Sequence, residues 1–250
     1  MSSLAKIFKF LFSLSALPLL AAELLFLKEL LEGYLRERSW FTLPVESFGV
    51  GLLLWSLLCF IWKVPQRPYI FAHELTHALA VYLHGGNVSR FRVGSRSGSI
   101  RCDRSNLWIV LSPYVVPFYM LLWLGLWTIV DFYRPMRSYQ WLLYGGTGFT
   151  WGFHLFFTVE AVHREQPDLH VEGRLFSLVV IATLNLFILA ALLGFLSPFW
   201  SVSRFFCRFA DDVLYCYRIC GEGFGAVAAW IGSSGLELRP RASPAPLMPH

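Results

Sequence analysis

Charge is scarce in this 250-residue chain: Asp, Glu, Lys and Arg make up 15% of it, against 56% hydrophobic residues. Soluble domains run nearer a quarter charged, so there is too little polar surface here to cover a soluble globule of this length. A short repeat is lacking as well, and 17% of the residues are aromatic, which excludes disorder, collagen and coiled coil. The 21 basic residues exceed the 16 acidic ones and give a formal charge of +5. They are scattered among short connectors, which excludes a nucleic-acid footprint. The cysteines Cys59, Cys102, Cys207, Cys216 and Cys220 are odd in number and form no CxxC pair. Neither a disulfide framework nor a zinc ribbon can be read from them, and they count as small apolar residues in or beside a membrane. What remains is an integral membrane protein embedded in a lipid bilayer.

Five stretches have the apolar length of a helical crossing, about 20 residues. They are residues 7–31 (interrupted by Lys9, Glu23 and Lys28), 47–62, 105–130, 138–159 and 175–203. The third carries SPYVVP, which predicts a kink at Pro113 and Pro117. Lys6 and Lys9 ahead of an apolar run resemble a signal peptide. Apolar sequence continues to Leu31 without a small-x-small site, so an uncleaved first helix is expected. A sixth segment, 69–84 (YIFAHELTHALAVYLH), follows Pro65 and Pro68 and runs into Gly85-Gly86, a helix C-cap signal. After it, GNVSRFRV alternates with period two, GSRSGS offers a turn and SIRC resumes, predicting a small β-hairpin.

The fold expected is therefore all-α and membrane-integral. It would have about six transmembrane or membrane-embedded helices and a short hairpin after the polar one. Residues 1–203 form the membrane domain in this reading. Residues 204–233, with Phe205, Phe209, Val213 and Tyr217 at helical spacing, suggest an amphipathic helix on the bilayer. Residues 234–250 are proline-rich and expected to be a disordered tail.

The chemistry lies in the sixth segment. His73-Glu74-Leu75-Thr76-His77 is an HExxH sequence. Helical residues four apart differ by about 40° around the axis, so both imidazoles face one ion. Glu74, one residue past the first imidazole, is placed to take a proton from a metal-bound water. Desolvating two histidines and a carboxylate in an apolar helix is unfavourable unless a metal or other partners satisfy them.

Zinc sites of this type need a third protein ligand and leave the fourth position to water. His84 lies about 10 Å along the axis from His77 and is too far. The metzincin pattern fails, since Ala80 and Leu83 stand where it needs Gly and His. Downstream candidates are His154, Glu160, His163, Asp168, His170 and Glu172.

At this point the chain resembles the site-2 protease family of intramembrane zinc metalloproteases. The resemblance rests on HELTHALA in an apolar helix, on GGNVSRFRV as a short strand after it, and on an acidic residue plus glycine opening a later helix. It covers roughly residues 69–200. It implies a Zn2+ ion held by His73, His77 and a distant aspartate, with Glu74 activating water. It implies cleavage of membrane-protein or membrane-associated peptide substrates, in a plasma or bacterial inner membrane. The family's Leu-Asp-Gly segment is replaced here by PDLHVEGRL, where Asp168 or Glu172 takes the part. Asp168 is preferred, being an aspartate preceded by proline.

Counting crossings speaks against Asp168. If every span crosses once, it faces the side opposite to the start of the HExxH helix, and His154 is less displaced. The objection weakens if SPYVVP re-enters or the HExxH helix stops short of crossing. The connector 85–104 holds five arginines, which the positive-inside rule places in the cytoplasm, although they would equally suit substrate binding. Under the proteolytic reading the strand at 87–93 pairs with an extended substrate, and Gly145-Gly146-Thr147-Gly148 serves close helix packing.

Two other classes compete. CAAX-processing membrane proteases also use HExxH but take a glutamate from an ExxxD-like segment, and Glu160 is followed by Arg164. A non-enzymatic scaffold or transporter would use the polar helix for packing or ion passage, but no inverted repeat is evident.

Overall fold

The computed structural model describes residues 3–38, 41–61, 66–95 and 97–236. Pro65, Arg96 and most of the expected tail, 237–250, lie outside them. The order is α1 (Ser3–Ser15), α2 (Leu17–Arg36), α3 (Leu43–Ile61), α4 (Gln66–Leu83), β1 (Val88–Val93), β2 (Gly98–Cys102), α5 (Leu107–Val115), α6 (Phe118–Tyr133), α7 (Gln140–His163), α8 (Asp168–Val171), α9 (Arg174–Leu196) and α10 (Val202–Leu236). The chain is mostly helical with one two-stranded antiparallel sheet.

Among the described residues three stretches are long and apolar enough to cross a membrane: Ser3–Arg36, Leu43–Ile61 and Arg174–Leu196. A fourth is obtained if α5 and α6, bent by 69° at their junction, count as one broken span. The helices α4 and α7 do not combine that length with that apolarity. The expected five long spans thus reduce to three, or four with the bent pair.

The bend follows from the two prolines. Pro113 sits inside α5, and Val116 leaves helical geometry (φ −87, ψ 109) ahead of Pro117, where an αR conformation would clash with the proline ring. Asn106 caps α5, its side chain accepting from Ile109 N at 2.9 Å. At the end of α4, Gly85 adopts φ +68 and Gly86 N donates to Val81 O at 2.9 Å, the left-handed cap that the Gly-Gly pair announced.

The hairpin lies back on the helix it follows. Val88, Ile100 and Cys102 pack against Ala80 and Val81 of α4 and Ile109 of α5. Its register pairs Phe91 with Ile100 and Arg92 with Ser99. The Asp103 carboxylate closes the open end, accepting from Asn87 N at 2.7 Å and from Asn87 Nδ2 at 3.1 Å.

The glycines of α7 serve close packing. A Cβ on Gly148 would overlap the Phe48 carbonyl of α3, and one on Gly51 would overlap the Gly145 carbonyl. Only backbones without side chains approach so closely. Around this contact Trp151, Phe48, Tyr34, Met120 and Leu196 form a buried cluster.

The last helix begins two residues before the expected boundary at 204 and includes residues 234–236. Its aromatic stripe meets the first span. Phe205 and Phe209 pack edge-on to Phe26, Arg208 pairs with Glu29, and Tyr217 donates to Ser15 O at 2.8 Å. Much of the surface expected to face the bilayer is therefore covered by α1 and α2, while Phe206, Leu214, Tyr215 and Ile219 stay exposed.

Candidate metal centre

The helix α4 turns His73, Glu74 and His77 inward, leaving them 7%, 7% and 8% exposed. Asp168 opens α8, a single turn entered through Pro167, and reaches back to α4 across more than 90 residues of sequence. Three distances define the group: Nε2 of His73 to Nε2 of His77 is 3.2 Å, Oδ2 of Asp168 to His73 Nε2 is 3.3 Å, and to His77 Nε2 is 3.4 Å. Bonds of about 2.0 Å to a tetrahedral ion place neighbouring ligand atoms about 3.3 Å apart. His73, His77 and Asp168 therefore make one triangular face of such a site and can hold a metal ion. All three residues line a cavity of about 560 Å³.

Each ligand atom is fixed from behind. A carbonyl only accepts, so the 2.7 Å contact between His77 Nδ1 and Ile109 O requires the proton on Nδ1. Nε2 is then the bare lone pair. His73 Nδ1 lies 3.3 Å from the Tyr69 hydroxyl, and the Tyr69 ring stacks on Phe157 at 4.5 Å. Tyr114 donates its hydroxyl to Asp168 Oδ2 at 3.1 Å and to Gln166 Oε1 at 2.8 Å, with its ring edge-on to His73. Such outer contacts set tautomer and orientation in metal sites. Burial alone would raise the Asp168 carboxyl, but the facing imidazoles of His73 and His77 outweigh burial and hold it well below the usual carboxylate range.

Glu74 shares the cavity wall without joining the triangle. The strand above it is β2, which lines the cavity from Gly98 to Cys102, rather than the expected β1. Gly98 lies against the Glu74 side chain, where a Cβ would fall 2.5 Å from Cγ and 2.6 Å from Oε1.

The other candidates lie elsewhere. His154 is buried in α7, its Nε2 3.1 Å from Asn185 Oδ1 of α9. Asn185 in turn donates to Tyr114 O at 2.9 Å and Ile181 O at 2.8 Å. Glu172 pairs with Lys9 of α1. Glu160 borders the cavity but pairs with Arg164 at 2.5 Å. His84 and His163 contact the carbonyls one turn before them, and His170 borders a separate cavity beside Lys9. Asp168 reaches this group from a chain that bends by 69° between α5 and α6.

Sequence reasoning overlooked Tyr69, Tyr114, Gln166 and Asn185. Asn185 carried a signal, as a carboxamide in an otherwise apolar 23-residue helix. The tyrosines carried none, since amphipathic aromatics are ordinary in membrane helices. The chain was compared with family models, with curated proteins and with solved structures, and none of them matches it.

Proposed function

We propose that the protein is a multi-pass, membrane-embedded zinc endopeptidase of the site-2 protease kind, acting on membrane-protein or membrane-associated peptide substrates. One observation carries the reading: the tetrahedral face formed by His73, His77 and Asp168, with Glu74 beside it on the wall of an open cavity. Two imidazoles and one carboxylate with a free fourth position suit catalytic zinc. Zinc bound there polarises a carbonyl and lowers the pKa of its water toward about 7.

The chain's own residues do the rest. Glu74 accepts a proton from the attacking water and returns it to the leaving amine. Among the described residues β2 pairs with β1 alone. Its other edge is open to an extended peptide, whose main chain would be presented beside Glu74. Tyr114, which also bonds Gln166, holds Asp168 in place while the cavity admits water to a site otherwise enclosed by apolar helices.

The test separates metal from base. Parent protein in detergent should carry about one zinc per chain. Glu74→Gln keeps size and hydrogen bonding but cannot take the proton, so zinc stays and cleavage of a membrane-tethered reporter peptide stops. Parental cleavage by Glu74→Gln, or no zinc in the parent, defeats the reading.

A further inference from the structure

We infer that Pro113 is a positioning residue for the metal centre, acting through a backbone carbonyl that its missing N–H leaves free. This rests on the metal-site reading above and adds to it the device that sets the His77 tautomer.

In an α-helix the N–H of residue i bonds the carbonyl of residue i−4. Pro113 has no N–H, and the carbonyl four residues before it belongs to Ile109. Ile109 is 3% exposed, so its orphaned oxygen has little access to water and needs a donor from the protein. The oxygen is taken by the His77 Nδ1–H at 2.7 Å and by the Ser112 hydroxyl at 3.1 Å. Two donors fill the two lone pairs of a carbonyl. With any other residue at 113, a main-chain N–H would compete for the same oxygen. The His77 ring would then lose the acceptor that keeps its proton on Nδ1 and its Nε2 lone pair facing His73 and Asp168.

The second break in the same segment behaves alike. Phe118 N donates to Val116 O at 2.8 Å instead of to Tyr114 O, and the released Tyr114 carbonyl accepts from Asn185 Nδ2 at 2.9 Å. The Ile109 and Tyr114 carbonyls are thus each taken by a side chain from another helix. The one freed by Pro113 reaches a metal-ligand candidate directly.

The experiment compares three proteins: the parent, Pro113→Ala, and a protein with an α-hydroxy acid at position 113. The last has a backbone ester there and, like proline, no N–H, but it lacks the ring. The tautomer is read first in metal-free protein, from the ¹⁵N shifts of His77 assigned with a His77→Gln control. The parent and the ester should show the Nδ1–H form, and Pro113→Ala a mixture with Nε2–H. Zinc affinity, measured by competition with a chromophoric chelator, should fall about 10- to 100-fold in Pro113→Ala and return in the ester. An Nε2–H tautomer in the metal-free parent overturns the inference, and so does a Pro113→Ala protein with parental tautomer. A loss of affinity equal in the ester and in Pro113→Ala overturns it too, since the ring rather than the N–H would then matter. A parent with the Nδ1–H form that binds no zinc leaves the Pro113 device standing and defeats the metal reading instead.

Discussion

Replacing Asp168 with alanine removes one corner of the His73–His77–Asp168 triangle and should lower zinc affinity about 10²- to 10³-fold. Complete zinc sites bind with roughly 10–16 kcal/mol at neutral pH, so one ligand of four contributes about 2.5–4 kcal/mol. Among the described residues no other carboxylate or imidazole belongs to the group: Glu74 shares the cavity wall but stands outside the triangle, Glu172 is held by Lys9, Glu160 by Arg164, and His154 by Asn185. His154→Ala and Glu172→Ala should therefore keep parental stoichiometry and stay within about 10-fold in affinity. The assay is equilibrium competition against a chromophoric chelator in detergent micelles, with bound zinc counted by atomic emission and folding followed by near-UV circular dichroism. A folded Asp168→Ala protein that holds zinc as the parent does, beside a His154→Ala protein that loses it, would refute the reasoning.

Three further outcomes are expected. Gly98→Ala puts a methyl where the Glu74 carboxylate now lies, 2.6 Å from Oε1. The acid must retreat by about 1 Å, and reporter cleavage should fall about 100-fold with zinc retained; unchanged cleavage would show that β2 does not confine Glu74. Gly148→Leu drives a side chain into the Phe48 carbonyl across α3 and α7 and should lower stability by about 1–3 kcal/mol in thermal unfolding. Gly33→Ala, with nothing within 4 Å, should be neutral or stabilising; equal destabilisation by both would contradict the close-contact explanation.

Local features were legible in the sequence because they depend on neighbours a few residues apart. The HExxH face follows from helical spacing, the cap at Gly85 from the Gly-Gly pair, and the hairpin from alternation around small residues. Asp168 followed from no such rule. It came from a family resemblance and stood against a count of crossings. That count assumed straight spans; the prolines announced a kink, but a 69° turn is set by what packs around it. His154 attracted attention as an ionisable group in an apolar run, and its partner, Asn185, lies 31 residues later on another helix. The aromatic stripe of α10 is visible in the sequence, but periodicity does not say whether lipid or protein covers it. Here α1 and α2 cover much of it.

The sequence distance between the ligands also has a consequence in time. His77 and Asp168 are separated by 91 positions, and a ribosome adds roughly 5–20 residues per second. A nascent chain therefore holds the two imidazoles for roughly 5–20 s before the carboxylate exists. Closing a loop of that length adds an entropic cost of about 4 kcal/mol, which only the assembled helices offset. Assembly of the three-residue group is thus a late event in the life of the chain, complete only once α8 has docked against α4.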